Sequence, residues 1–173
     1  AEAILAKLTD VNVSELVYYH FCEGIVGGVK MIISRSGYTG EDGFEISVHN
    51  DQAERLARTL LVQPEVEAVG LGARDSLRLE AGLCLYGHDL DRHTTPAESS
   101  LLWALSKSRR ADGERPGGYP GADIIMRQIS EGVERKRVGL KPEGRMPVRE
   151  GAVIVSRDDV EVGKVTSGGF GPS

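Results

Sequence analysis

A glycine-punctuated turn runs directly into an alternating segment at residues 37–48, GYTGEDGFEISV. In its second half, the apolar residues at positions 44, 46 and 48 alternate with Glu45 and Ser47, a period of two that is typical of a strand with one buried face. The segment therefore predicts a strand that begins after a tight turn, with Glu45 and Ser47 on the face away from the core.

Other elements precede this strand. Residues 1–8 carry apolar side chains at the spacing of one helix face. Residues 17–21 and 29–33 are rich in β-branched and aromatic side chains, and the glycine-rich stretch 23–28 between them predicts a hairpin.

Two helices are predicted after it. Asn50 or Asp51 is suited to cap a helix over residues 53–61, and another helix is predicted over 72–81. A helix, three strands and two helices in this order indicate an α+β fold, with helices covering one face of an antiparallel sheet.

The composition changes after Trp103. Residues 106–121 are polar and rich in glycine and proline, which predicts a long irregular connection, and a short helix is predicted over 123–129. Strand-like segments follow at 138–140, 153–155, 160–162 and Val165. We therefore predict two domains, 1–132 and 133–173. Unpartnered strand edges, together with a final loop at 168–173, predict that the native chain continues.

The bulk composition restricts the class of protein. The chain has 40% hydrophobic and 27% charged residues and a net charge of -5, which is ordinary for a globular protein and gives no support for nucleic-acid binding. Cys22 and Cys84 form neither a disulfide framework nor a zinc pattern. No apolar run approaches the roughly 20 residues of a membrane span. We expect no nucleic-acid or membrane partner.

A His/Asp-rich patch is the only metal candidate in the sequence; it comprises His88, Asp89, Asp91 and His93. The neighbouring residues indicate a loop, and no further ligand cluster supports the patch. We interpret these side chains as loop charges that cap the following segment, and we predict no metal site.

Glu45 and Arg74 are the residues whose chemistry stands out. Glu45 is either a solvent-facing strand residue or a carboxylate that faces a pocket and accepts two hydrogen bonds from a ligand. Arg74 and Arg78 share a helix face, and Asp75 can offset Arg78 at i, i+3. Arg74 is then either part of an ordinary charged face or available to an external anion.

The motifs resemble those of a known family. Residues 37–48 and residues 73–87, ARDSLRLEAGLCLYG, closely resemble signatures of the aminomethyltransferase family, which provides the T-protein of the glycine cleavage system. Asp89, the TTP at 94–96, the KRVGL at 136–140 and the GKVTSG at 163–168 match in the same order. Together these motifs span most of the chain from Arg35 onward.

The resemblance implies a transfer of the one-carbon unit from the aminomethyl-lipoyl arm of H-protein to tetrahydrofolate, with release of ammonia. It implies a ferredoxin-like middle domain followed by the first strands of a β-barrel. It assigns Glu45 to the pterin ring and Arg74 to the folate site. Tyr38 is left between a folate contact and a packing role, and Arg137 is interpreted as structural.

The chain departs from the family in two respects that matter. The family's catalytic aspartate, and a folate-contacting tyrosine near its C-terminus, have no counterpart in these 173 residues. We therefore assign no catalytic residue and expect the fragment to be nearly inactive, because orientation supplies much of the rate in such transfers. The family implies the mitochondrial matrix in eukaryotes and the cytoplasm in bacteria.

Three alternatives remain at this stage. Related domains occur as folate modules of flavin-dependent dimethylglycine or sarcosine dehydrogenases. They also occur in folate-dependent iron–sulfur assembly factors, which have a cysteine-containing motif where this chain has residues 37–43. The third alternative is a non-catalytic folate-binding interaction fragment.

Overall fold

The computed structural model describes residues 1–144, 146–169 and 171. The backbone divides into two compact units, Ala1–Leu83 and the residues from Cys84 onward. Part of the predicted terminal loop, namely Phe170, Pro172 and Ser173, lies outside the described residues. Within the described part of the chain, no helix is both long and apolar enough to cross a lipid bilayer.

The first unit is built on an antiparallel sheet of three strands in the order β1-β2-β3, with β1 at Phe21–Val26, β2 at Val29–Ser34 and β3 at Glu45–Ser47. Gly27 and Gly28 join β1 to β2 with φ angles of +58° and +80°. Positive φ at both positions is characteristic of the type I′ two-residue hairpin turn, and the turn pairs Val26 with Val29.

The predicted position of the first strand was wrong. Because the turn uses only Gly27 and Gly28, residues 23–26 pair with β2 instead of forming the connection. Residues 17–20 lie outside the sheet. They form a turn in which the His20 amide donates to the Val17 carbonyl, and Tyr19 has the left-handed φ of +64°.

One face of the sheet forms the core. The inward side chains of β1 and β2 pack with Leu5, Val13 and Leu56, and Ile33 is fully buried. In β3, Ile46 and its neighbours Phe44 and Val48 pack against the same cluster, as the alternation predicts. Glu45 and Ser47 are exposed on the opposite face, as predicted.

Three helices complete this unit: α1 at Glu2–Leu5, α2 at Ala53–Leu61 and α3 at Leu71–Glu80. The chain leaves α1 early because residues 8–10 pair with the edge of β1; the Asp10 amide, for example, donates to the Ile25 carbonyl. Neither Asn50 nor Asp51 caps α2, which the chain enters through a 3-10 turn at Asn50–Gln52 instead. α3 agrees closely with its prediction.

The second unit contains α4 at Ala122–Glu131 and an antiparallel pair of strands, β4 at Val153–Val155 and β5 at Glu161–Lys164. Two short 3-10 turns, Leu102–Ala104 and Lys107–Arg109, interrupt the irregular connection. The predicted strand at 138–140 was wrong: its residues belong to no strand, and the preceding Arg137 amide donates to the Glu98 carbonyl.

The α+β class is confirmed, with a small antiparallel sheet and helices in the first unit and a two-stranded antiparallel pair toward the end of the chain. The domain boundary at 132/133 stays a prediction.

Candidate functional site

Glu45 lies on β3 directly opposite Ser34 of β2. Its Oε2 accepts a hydrogen bond of 2.5 Å from the Ser36 hydroxyl, whose oxygen lies 2.9 Å from that of Ser34. Glu45 is exposed, whereas Ser36 is buried. The predicted site carboxylate is therefore solvent-accessible and is held by a hydroxyl from the neighbouring chain segment.

Arg74 lies on the exposed side of α3. Its guanidinium carbon is 5.0 Å from the centre of the Tyr38 ring, within the range of a cation–π contact. No carboxylate within the described residues forms a salt bridge with it. Arg74 and Tyr38, which the sequence pattern does not connect, are therefore in contact. The charge of Arg74 remains available to a ligand anion.

Arg78 has a different environment from Arg74. It is 2% exposed, and it donates to the Asp75 carboxylate at 2.7 Å and to the Leu83 carbonyl at 3.1 Å. The i, i+3 pairing with Asp75 agrees with the sequence prediction. A buried, paired guanidinium fixes the end of α3, so Arg78 has a structural role in this helix.

A cleft of about 330 Å³ in the first unit includes Tyr38, the ring over which Arg74 lies. It is lined by Tyr18, Tyr19, Gly37, Tyr38, Gly40, Glu41, Asp42 and Leu83. Three tyrosines give it aromatic surface on which a flat heterocycle can stack. A larger and more open depression of about 510 Å³ along α2 lacks aromatic rings, and its Arg58 is paired with Glu54 at 2.8 Å, so we take the smaller cleft as the candidate site.

Tyr18 and Tyr19 are cleft residues that the sequence analysis missed. Their ring centres are 4.3 Å apart. The pKa of Tyr18 is raised, chiefly by a hydrogen bond with Tyr19, then by partial desolvation and by the negative charges of Tyr19 and Glu45. Glu45 therefore lies close enough to influence the cleft. Two adjacent tyrosines just before a strand are the available signal, but the composition of residues 17–21 predicts that both belong to that strand.

Arg35 holds the loop that forms one side of the cleft. Its Nε and Nη2 donate to the two carboxylate oxygens of Asp42, each at 2.8 Å, and Nη2 also donates to Glu2 at 2.7 Å. Its Nη1 donates to the carbonyls of Val13 and Leu16. The hydrogen bonds from Arg35 to Asp42, and then the charge of Arg35, hold the pKa of Asp42 below its usual range. Bidentate pairing of this kind fixes orientation as well as distance.

Gly40 brings the same loop against the end of α3. Its φ is +81°, and a Cβ built there would lie 2.5 Å from the Cβ of Ala81. Only glycine satisfies both the left-handed backbone and the close approach. Arg35 thus holds one end of the loop through Asp42, and Gly40, in the middle of the loop, lies against Ala81 at the end of α3.

The His/Asp-rich patch is part of the second unit, and its side chains bond within that unit. His88 pairs with Glu150 at 2.6 Å, and Asp89 accepts from Thr166 and Ser167. Asp91 accepts from the Thr94 hydroxyl and the His93 amide. Among the residues that the structure describes, no three His, Cys, Asp or Glu side chains form a group suited to a metal ion.

Arg137 also bonds within the second unit. Its Nε donates to the Ser99 carbonyl at 3.1 Å, and its amide donates to the Glu98 carbonyl at 2.7 Å. Both contacts are to the backbone of residues 98–99, which agrees with the structural role expected for Arg137.

Comparisons with known proteins cover almost the whole chain. Residues 1–109 match the family described as the GCVT N-terminal domain, and residues 135–173 match the glycine cleavage T-protein C-terminal barrel domain. A mitochondrial aminomethyltransferase of Flaveria anomala is 47% identical over 174 residues, which cover 99% of this chain and 42% of that relative. That of Canis lupus familiaris is 55% identical over 136 residues, covering 79% of this chain and 32% of the relative.

A solved structure is similar as well. The crystal structure of the glycine cleavage system aminomethyltransferase T from Bartonella henselae aligns with a TM-score of 0.87 and 45% identity. The alignment covers 99% of this chain and 45% of that one. The chain thus spans less than half the length of these relatives.

Proposed function

Because the chain belongs to the glycine cleavage T-protein family, we propose that it is the tetrahydrofolate-handling part of an aminomethyltransferase. The reaction moves the one-carbon unit from the aminomethyl-lipoyl arm of H-protein to tetrahydrofolate and releases ammonia. The observation that carries the proposal is a cleft of the first unit lined by three tyrosines. Arg74 lies over the ring of one of them, Tyr38, and the charge of Glu45 reaches another, Tyr18.

The chemistry of the cleft suits a folate. A pterin presents a ring N–H beside an exocyclic amine, and a carboxylate such as Glu45 accepts from both. The rings of Tyr18 and Tyr38 offer flat apolar faces for a heterocycle. The guanidinium of Arg74 suits a carbonyl or carboxylate farther along the ligand. We assign Glu45 and Arg74 to substrate binding, and we add Tyr18 and Tyr38 as stacking surfaces.

The catalytic part of the proposal concerns the 173 residues assayed alone. No residue here matches the family's catalytic aspartate, so we propose that the 173 residues bind tetrahydrofolate weakly and transfer almost none of the one-carbon unit.

Lipoylated H-protein is the proposed protein partner of the full-length enzyme. The relatives from Flaveria and dog are mitochondrial enzymes. We therefore propose the mitochondrial matrix as the location, or the cytoplasm in a bacterium.

The flavoenzyme-module alternative is not favoured, because the relatives described above are aminomethyltransferases. The discriminating measurement is ammonia release by a full-length protein that contains these residues, supplied with aminomethylated H-protein and tetrahydrofolate. Tetrahydrofolate binding without ammonia release would contradict the transferase proposal.

Calorimetry with tetrahydrofolate tests the site itself. Glu45→Ala should weaken binding by roughly tenfold or more, because it removes hydrogen bonds to a charged acceptor, and Arg74→Ala should weaken it severalfold. The matched controls are Glu23→Ala, on the same face of the sheet and paired with Lys30 at 2.7 Å, and Arg58→Ala on α2. Equal effects from the site variants and their controls would contradict the assignment.

A further inference from the structure

We propose that Ser36, supported by Ser34, is a positioning residue that holds the Glu45 carboxylate ready for the pterin edge of tetrahydrofolate. This inference rests on the proposed function and deepens it. The β2–β3 register brings the three residues together: Ser34 lies opposite Glu45, and Ser36 follows two residues later.

The direction of each hydrogen bond follows from the number of protons available. A carboxylate is an acceptor only, so the Ser36 hydroxyl must donate its single proton to Glu45 Oε2. Ser36 then has no proton for Ser34, and the 2.9 Å contact requires Ser34 to donate to the Ser36 oxygen. The two hydroxyls form a relay that points toward the carboxylate, and each one strengthens the next donor.

The relay restricts a side chain that would otherwise move freely. Glu45 is exposed, and no basic side chain within the described residues forms a salt bridge with it. Ordering such a side chain on binding costs conformational entropy, which reduces affinity. A donor already bonded to Oε2 reduces that cost, and it leaves Oε1 and the second lone pair of Oε2 to accept from the ligand.

Ser36 is itself well fixed. It is 8% exposed and lies between Arg35, which is clamped to Asp42 and Glu2, and Gly37, which lines the cleft. The backbone that carries the anchor of the relay is therefore held by contacts that do not involve Glu45. Ser47, by contrast, shares the exposed face of β3 with Glu45 and makes no side-chain hydrogen bond among the described residues.

Calorimetric titration of the chain with tetrahydrofolate tests the inference. Ser36→Ala should bind roughly tenfold more weakly, since it removes a hydrogen bond to a charged group. Ser34→Ala should show a smaller loss and Ser36→Thr should recover most of the affinity, because it keeps the hydroxyl. Ser47→Ala is the matched control and should bind like the wild type.

A double-mutant cycle separates positioning from general destabilisation. In the Glu45→Ala background, Ser36→Ala should cause no further loss, because the relay acts only through Glu45. An equal loss in both backgrounds, or wild-type affinity of Ser36→Ala, would overturn the relay while leaving the folate assignment in place.

A measurement without ligand distinguishes the two proposals. The ¹³C resonance of the Glu45 carboxyl should shift in Ser36→Ala and stay in place in Ser47→Ala. An unchanged resonance in Ser36→Ala would overturn the relay even if tetrahydrofolate bound. Absence of binding to the wild-type chain would overturn the proposed function, and the role of the relay in pterin recognition with it.

Discussion

Strand β2 and strand β4 have similar apolar sequences but very different environments. Val29, Met31 and Ile33 of β2 are 7%, 4% and 0% exposed, whereas Val153 and Val155 of β4 are 51% and 53% exposed. Leu56 of α2 and the N-terminal segment pack over the inner face of β2. Among the described residues, β4 pairs only with β5. An apolar β pattern thus predicts the strand, and the elements that cover it determine the burial.

The largest expected difference between the two strands concerns core truncation. Ile33→Ala should lower the free energy of unfolding of the first unit by about 2–5 kcal/mol, because it leaves a cavity in a close-packed core. Val155→Ala should cost no more than about 0.5 kcal/mol at its exposed position. Urea unfolding followed by far-UV circular dichroism compares them, and similar losses for both would contradict the contrast.

A smaller difference in the free energy of unfolding is expected between alanine substitutions at two turn glycines. Gly27 and Gly151 have φ angles of +58° and +83°, so alanine at either costs roughly 1 kcal/mol of backbone strain. Only at Gly27 would the new Cβ also meet a side chain, at 2.8 Å from Cγ2 of Thr59; nothing lies within 4 Å at Gly151. Gly27→Ala should therefore lower stability further, by about 1 kcal/mol or more.

Thr59, the residue that the new Cβ at Gly27 would meet, supplies the control for this prediction. Thr59→Ser removes the Cγ2 methyl, so the extra cost of Gly27→Ala over Gly151→Ala should shrink in the Thr59→Ser background. Thermal or urea unfolding of the four variants in this cycle measures it. An extra cost that is unchanged without the methyl would mean that backbone strain alone distinguishes the two turns.

The smallest expected effect is the loss of stability at low pH that comes from the pairing of Arg35 with Asp42. Arg35 lowers the pKa of Asp42, so the unfolded chain takes up this proton more readily than the folded chain. The contribution of this pair to stability is therefore complete above the ordinary aspartate pKa of about 4 and is lost as the pH falls through the lower folded-state value. NMR titration of Asp42 should show the lowered pKa, and Arg35→Gln should return it toward the ordinary value.

The second unit allows a matched comparison. Glu98 also has a lowered pKa, chiefly because it accepts from the Thr95 amide and then because it pairs with Arg135 at 2.9 Å. Arg135→Gln should move the pKa of Glu98 less than Arg35→Gln moves that of Asp42, because the amide bond remains. A larger shift for Glu98 would show that the arginine, not the amide, dominates there.

The parts of the fold that were predictable are those with a local period. The alternation at 44–48 and the helical spacing at 53–61 and 71–80 depend only on residues close in sequence. The segment at 17–21 has the composition of a strand, but only Phe21 belongs to β1 and residues 17–20 lie in a turn, because the pairing of β1 is set by its hairpin with β2. The valine- and leucine-containing segment at 138–140 likewise has no strand partner.

The candidate site was predictable only residue by residue. The sequence indicated Glu45 and Arg74 as residues of interest, and the resemblance assigned both to folate. It did not show that Arg74 lies over Tyr38, that Tyr18 and Tyr19 line the same cleft, or that Ser36 binds Glu45. The Arg74–Tyr38 contact joins residues 36 positions apart, and the Ser36–Glu45 contact crosses from the end of one strand to the next, so no local pattern encodes either.

By itself, the sequence determined the α+β class, the family, and the face on which Glu45 lies, because periodicity and motif order are properties of the chain alone. The tertiary structure decided which apolar strand is buried, which arginine of α3 is paired with a carboxylate and which lies over a tyrosine ring, and which hydroxyl binds the Glu45 carboxylate. Each of these depends on what another segment places within a few ångströms, and long-range packing alone sets that distance.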